Sequence, residues 1–340
     1  MFLQIKRIIK EFRIIYAFIL GILFPINYYL LRKSLNFPII NLLYKTEFSS
    51  SIKWWFSSVT LKDKKFTSYR LTPRYFLYYK GYLETSLTSV KFISNNKKKT
   101  FNYAEDPKLF VYKNKILLYF QKRHRFRRDC EIFLYDPNSN KTYKINSPFN
   151  FNGKNWVPIS GLNSLIFVYS IDPLIILKVV DLNKGKMKAI TKVKKGFNPA
   201  WHVQDIDSSF VGRVRGGSPM VKVGNNRYLG IGHSSTYLFK TFKVLGSSQR
   251  AYIYFFDFKK KIYYINYLTN NKIGHLYCVG AELTNKNNII KFYFNFSSPL
   301  VEYLVSRIYI FDIELDKREL IKIAKKGQKK KINLTSNLKI

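Results

Sequence analysis

Four copies of one pattern run through residues 107–324 of this 340-residue chain. Each copy is an apolar hairpin followed by a second hairpin whose first strand ends in Asp. The second hairpins read C-E-I-F-L-Y-D to Asp136, L-I-I-L-K-V-V-D to Asp181, Y-I-Y-F-F-D-F through Asp257 and R-I-Y-I-F-D-I through Asp312. A polar turn and a closing strand are expected after each. The first hairpins begin at Pro107, Pro158, Pro219 and Val279, with Asn114, Asn163, Asn225 and Asn285 at or beside their turns. Asn tolerates the left-handed backbone that tight hairpins need. Two hairpins make a four-stranded antiparallel sheet, and several such sheets in series make a β-propeller. Strand-like stretches within 66–95 supply a fifth blade. The expected fold is therefore all-β: a five-bladed β-propeller preceded by an N-terminal hydrophobic helix.

That helix is read from residues 14–31, which are 18 consecutive uncharged residues, at the lower limit for crossing a bilayer. Lys6, Arg7, Lys10 and Arg13 precede them, and Arg32 and Lys33 follow. The flanking charge favours a cytoplasmic amino terminus and an extracytoplasmic or lumenal body. A buried or interfacial helix is the alternative, given Pro25 and Asn27. The domain plan is a basic segment and membrane anchor over 1–33, the propeller over 34–324 and a basic tail over 325–340. Residues 34–60 are expected to connect anchor and propeller, and the tail to be disordered or peripheral.

The formal charge is +39, from 59 Lys and Arg against 20 Asp and Glu. The lysine runs 97–99, 259–261 and 329–331 are spread over turns and tail, which argues against a sequence-specific nucleic-acid binder. Cys130 and Cys278 are the two cysteines. They permit at most one disulfide and form no C-x-x-C spacing, so a zinc site is not expected; no cofactor is implied.

In a propeller the innermost strands line the axis, so the segments entering each first hairpin should meet. These are A-E-D-P (104–107), G-K-N-W-V-P (153–158), R-V-R-G-G-S-P (213–219) and C-V-G-A-E (278–282). In a chain poor in acids, Glu105 and Asp106 fall at one entry, and Lys154, Arg213 and Arg215 at others. A carboxylic acid facing cations suits acid-assisted transfer beside a phosphate or a sugar. Gly216 and Gly217 allow close backbone approach to a ligand. Trp156 offers a face for sugar stacking. The run Lys122–Arg128 reads as a solvated loop, with an anionic ligand as the alternative.

E-D-P-K-L-F, then K-N-W-V-P, then R-G-G-S-P-M-V-K-V-G-N-N-R-Y-L-G-I-G-H, resembles the five-bladed propeller glycoside phosphorylases and their relatives, the β-mannoside phosphorylases, β-mannosidases and propeller-type mannosyltransferases. The resemblance covers roughly residues 100–300 and implies Asp106 as general acid, with Glu105 beside it. It implies His233 at phosphate, and Lys154 and Asn155 beside the sugar. The family's paired phosphate-binding arginines have no secure match; Arg213 and Arg215 are candidates by position. An acidic site residue of the last blade is replaced by Asn295.

The reading expected from all this is a membrane-anchored glycosyltransferase. It would move a sugar, mannose foremost, from a nucleotide sugar or sugar phosphate to a glycan acceptor. The alternatives are a glycoside phosphorylase or hydrolase acting on β-mannosides, and a non-catalytic glycan-binding propeller.

Overall fold

A computed structural model describes residues 41–45, 51–73, 88–95, 97–123, 130–149, 152, 155–171, 173–193, 212–237, 247–268, 275–284, 288–297 and 309–335. These form five antiparallel blades. Blade 1 is β2 (Ser51–Leu61), β3 (Lys64–Pro73), β4 (Ser89–Ser94) and β5 (Lys97–Asn102). Blade 2 is β6 (Glu105–Tyr112), β7 (Lys115–Arg123), β8 (Cys130–Asp136) and β9 (Lys141–Ile145). Blade 3 is β10 (Val157–Pro158), β11 (Ile166–Ile171), β12 (Leu174–Asp181) and β13 (Lys186–Ala189).

Blades 4 and 5 are joined in one ten-stranded sheet by a single parallel pairing, Gln249 with His275. In blade 4 the inner strand is interrupted. Both β14 (Gly212–Arg215) and β15 (Val221–Gly224) pair with β16 (Arg227–Tyr237), followed by β17 (Ser247–Asp257) and β18 (Ile262–Tyr267). Blade 5 is β19 (His275–Leu283), β20 (Ile289–Ser297) and β21 (Tyr309–Asp316), completed by β1 (Asn41–Lys45), which pairs with β21. The ring is thus closed by a strand from the other end of the chain.

Strand alternation puts one face of each blade against each neighbour. In blade 4, Tyr228, Tyr252, Tyr254 and Phe256 pack towards blade 3 with Val157 and Ile176. The intervening Leu229, Ile231, Ile253 and Phe255 pack towards blade 5 with Phe292 and Phe294. Between blades 2 and 3 lie Phe110, Tyr119, Trp156 and Phe167; between blades 1 and 2 lie Phe92, Leu109, Leu118 and Phe120. The apolar surface removed from water in these seams holds the ring together.

Three expectations change. The segment 34–60 is not a plain connector, because it contains β1 and the innermost strand of blade 1. In β2 the alternation breaks at a bulge between Trp54 and Ser57. Ser57 and Ser58 are fully buried where inner strands crowd, and Ser57 Oγ accepts the Leu109 N–H at 3.0 Å. Small polar residues there serve blade contact rather than a loop.

Next, Asp312 does not end a strand. It sits within β21 opposite Leu43 and Tyr293. The chain runs on to Asp316, which accepts from the N–H groups of Arg318 and Glu319 and caps helix α1 (Lys317–Lys325). Glu319 in the first turn and Lys322 and Lys325 in the last suit the helix dipole. No hairpin follows because β1 already occupies the edge.

Finally, the start of the tail is ordered. β22 (Gln328–Lys331) pairs with β18, and Asn333 and Thr335 bond to Lys192 and Ile190 of blade 3. Two lysine runs distant in sequence, 259–261 and 329–331, are therefore neighbours.

Among the described residues no helix is long and apolar enough to cross a membrane. The segment 14–31 lies outside them. Cys130 and Cys278 are both buried, and no disulfide joins them.

Candidate active site

The innermost strands lie side by side and in parallel around the axis. Tyr112 bridges Leu162 between blades 2 and 3, and Ile159 bridges Met220 between blades 3 and 4. A Cβ placed on Gly280 of blade 5 would lie 3.0 Å from the Ser57 Cα of blade 1. The Thr60 N–H donates to Glu282 at 2.9 Å across the same seam. Burial pushes the Glu282 carboxyl up, opposed by the hydrogen bond from Tyr293 and by Lys291.

At the entry of blade 2 the ladder is irregular. The register of β6 on β7 shifts between Glu105 and Lys108, and Asp106 has φ of 54°. A non-glycine residue in this region stores backbone strain, of the kind that gathers at functional sites. The strained turn buries both acids, with Glu105 at 4% and Asp106 at 2% exposure.

Blade 1 supplies their cation. Arg70 lies 3.3 Å from Glu105 and 3.6 Å from Asp106. Gln121, fully buried on β7, donates from Nε2 to Asp106 Oδ2 at 2.6 Å and to Glu105 Oε1 at 3.3 Å. Its Oε1 accepts from the Tyr119 hydroxyl at 3.2 Å and from the Asn155 N–H at 3.3 Å. The amide orientation follows from these partners: nitrogen towards carboxylates, oxygen towards donors.

Asn155 opens blade 3 with φ of 65° and is itself buried. Two facing entries thus each carry a polar residue in the left-handed region, bridged by one glutamine. Lys108 is fully buried, and its Nζ donates to the Trp156 carbonyl at 2.7 Å. Burial pushes this ammonium down to about 7, with Asp106 pulling the other way. Burial also pushes the Tyr119 hydroxyl well up. Two carboxyl groups, a guanidinium and an amine therefore share one enclosure, an arrangement that requires mutual pairing.

Blade 4 meets the same point through its interrupted inner strand. A Cβ on Gly216 would lie 2.3 Å from the Asn155 carbonyl oxygen, and one on Gly217 would lie 2.4 Å from Ile231 O and 2.5 Å from Cys278 O. The two glycines therefore admit neighbouring backbone where a side chain would clash. Arg215 pairs in register with His233, which is buried, and Arg213 with Ser235 two residues along. Lys154 lies outside the described residues, as do 124–128 of the basic run. The sequence also holds a D-x-D pair, Asp205 and Asp207, near His202; these too lie outside.

Trp156 does not present a face for stacking on a sugar. It is fully buried against Phe167 and Tyr169, with its indole N–H donating to Asn152 O at 2.6 Å. Its ring belongs to the core between blades 2 and 3, and its carbonyl alone faces the cluster. Arg70, Lys108, Tyr119 and Gln121 were absent from the sequence expectation. Gln121 and Lys108 did leave a signal, as polar residues inside apolar strands (K-I-L-L-Y-F-Q and P-K-L-F-V-Y). Arg70 left none, because its strand belongs to a blade whose start was read as connector. Among the described residues no group of three His, Cys, Asp or Glu side chains could hold a metal ion.

No family model matches this chain, and no curated protein matches its sequence. Solved structures do. A β-1,2-mannobiose phosphorylase from Listeria innocua aligns at a TM-score of 0.50 and 10% identity, covering 85% of this chain and 100% of that one. A glycosyl hydrolase from Bacteroides ovatus aligns at 0.49 and 11%, covering 85% and 88%. A structure from the GH130 family of mannoside phosphorylases, described as containing hydrolases that target β-1,2 mannosidic linkages in Candida mannan, aligns at 0.48 and 12%, covering 78% and 84%. At these identities the likeness is one of fold: a five-bladed propeller.

Proposed function

We propose that this chain cleaves β-linked glycosides, β-mannosides foremost, with Asp106 as the proton donor. The observation that carries this reading is the strained, bulged turn that buries Glu105 and Asp106 against Arg70 and Gln121 where the entries of blades 2, 3 and 4 meet. In the reaction the bond between the anomeric carbon and the leaving oxygen breaks, and the Asp106 proton goes to that oxygen. The anomeric carbon then bonds to an oxygen of phosphate, giving a sugar 1-phosphate, or to water, giving the free sugar. Arg213, Arg215 and His233 are the residues assigned to phosphate, and Asn155 to the sugar. The named activities of the fold neighbours support the substrate class. The transferase expectation rested on residues 14–31 as an anchor and on the departures at Arg213, Arg215 and Asn295; the anchor segment lies outside the described residues.

The test is incubation of the full chain with β-1,2-mannobiose, with and without inorganic phosphate, followed by product chromatography. Mannose 1-phosphate formed only with phosphate identifies phosphorolysis; mannose alone identifies hydrolysis. Absence of turnover of β-mannosides under both conditions overturns the proposal.

A second reading is favoured by the burial itself. Arg70, Glu105, Asp106 and Lys108 are all 7% exposed or less, as in an ion cluster that only locks blades together in a glycan-binding propeller. Asp106→Asn separates the two. Lost turnover with an unchanged melting temperature supports catalysis, whereas glycan binding without turnover, unchanged by the substitution, supports the lock.

A further inference from the structure

A lysine with no exposed surface calls for explanation, because desolvating an ammonium is costly and an apolar residue of similar volume packs there at lower cost. Lys108 lies two residues beyond Asp106 on β6, on the face turned towards blade 3. Its Nζ reaches the Trp156 carbonyl at 2.7 Å and lies 5.2 Å from the centre of the Tyr119 ring. The Tyr119 hydroxyl in turn donates to Gln121, which holds Asp106 on one side and the Asn155 N–H on the other.

Two bridges therefore run in parallel between the same two segments. Gln121 links Asp106 to Asn155, and Lys108 links the next turn of β6 to Trp156. One bridge fixes a distance; two fix an orientation. Asp106 on its own strand acts on the Lys108 charge, with Tyr119 of β7 beneath the ammonium. Glu105 and Cys130 act on Tyr119, Arg70 lies against the two acids, and among the described residues of blade 3 the Trp156 carbonyl meets Nζ.

We propose that Lys108 is the positioning residue of this site: it clamps the entry of blade 3 onto the acid turn of blade 2 and so sets how Asn155 faces Asp106. This rests on the glycoside-cleaving reading for its consequence, but not for its geometry. Lys108 acts through the Trp156 carbonyl and need not touch the substrate. Its loss affects turnover more than substrate binding, because misplacement weakens what must be aligned in the transition state.

The experiment compares the full chain with Lys108→Met, which removes the donor, and Lys108→Gln, which keeps a donor without the charge. Hydrogen exchange followed by mass spectrometry reads residues 152–158. Exchange there is expected to rise at least tenfold in Lys108→Met and to be partly restored in Lys108→Gln, with β16 and β20 unchanged. On β-1,2-mannobiose, kcat is expected to fall about 100-fold in Lys108→Met with KM within about threefold. Unchanged exchange at 152–158 in a folded Lys108→Met overturns the proposal, even where Asp106→Asn abolishes turnover. Faster exchange together with a wild type that cleaves no mannoside sinks the functional reading and leaves the clamp standing. Should Lys108→Met not fold, Lys108→Gln decides: its shorter, uncharged side chain is expected to raise exchange at 152–158 by a smaller but measurable factor, and unchanged exchange in that variant overturns the clamp.

Discussion

Blade 2 holds acids at both ends of its architecture, and they are satisfied in different ways. On the outer hairpin, Asp136 turns back on its own chain, accepting from the N–H groups of Asn138 at 2.8 Å and Ser139 at 3.4 Å. Asp181 and Asp257 do the same in blades 3 and 4, accepting from Lys184 and Lys260, each at 3.0 Å. At the axis, Asp106 and Glu105 have partners 36 and 35 residues upstream at Arg70, and 15 and 16 residues downstream at Gln121. The outer carboxylates close turns and are replaceable one at a time. The inner pair ties three strands together and is enclosed, so its members stand or fall together. Position on the blade, not residue type, separates a turn cap from a candidate catalytic acid.

The largest effect that would break this contrast comes from Asp106→Asn. Turnover of β-1,2-mannobiose is expected to drop about 10²–10⁴-fold, the range for a lost general acid, while Asp136→Asn leaves it within twofold. Equal losses would show that the two ends are not different. Next comes Arg70→Met, which strands two buried carboxyl groups. It is expected to cost about 3–5 kcal/mol in urea unfolding. Arg227→Met, which removes the half-exposed partner of Asp257, costs at most about 1 kcal/mol.

A pH series sharpens the same comparison. The folded Lys108 amine titrates at about 7 against an ordinary 10.5. Between those values the unfolded chain holds a proton that the folded chain lacks, so stability rises with pH by up to about 1.4 kcal/mol per unit. Below 7 both states hold it and the slope vanishes. Above about 9 the buried Cys278 thiol, pushed up by burial, offsets this rise, and above about 10 the buried Tyr254 hydroxyl, also pushed up, reverses it. Unfolding measured from pH 7 to 8.5 should show the rise in the wild type and a flatter line in Lys108→Met. A comparably small effect belongs to the turn class: Asp316→Ala, which uncaps α1, is expected to cost about 1 kcal/mol with turnover unchanged.

The contrast was half legible in the sequence. The strand-ending aspartates announce themselves because a turn cap is local: Asp, then polar residues, then a strand. Asp312 shows the limit of that signal, since its own segment gives no hint that β1 takes the edge where a hairpin would form. Glu105 and Asp106 were legible as an anomaly, two acids opening an apolar strand in a chain of basic character. Their partners were not. Nothing local to Arg70 says that blade 1 faces blade 2 at that height, and Trp156 looked like a sugar platform because a sequence does not reveal which face of an entry is covered. At Gly216 and Gly217 the group that approaches closely is the backbone of blades 3, 4 and 5, which the local sequence does not reveal.

The pairing of β1 with β21 sets an order of assembly. Asn41–Lys45 emerge early in synthesis, yet their partners, Ile310–Glu314, emerge about 265 residues later. Blades 2 and 3 can form from contiguous chain, but β1 stays without its ladder partner until the last blade has been made. Ring closure is therefore a late, long-range event, with the slow kinetics that high sequence separation imposes. Substitutions in 41–45 should alter the speed of the final folding phase without touching the chemistry at the axis.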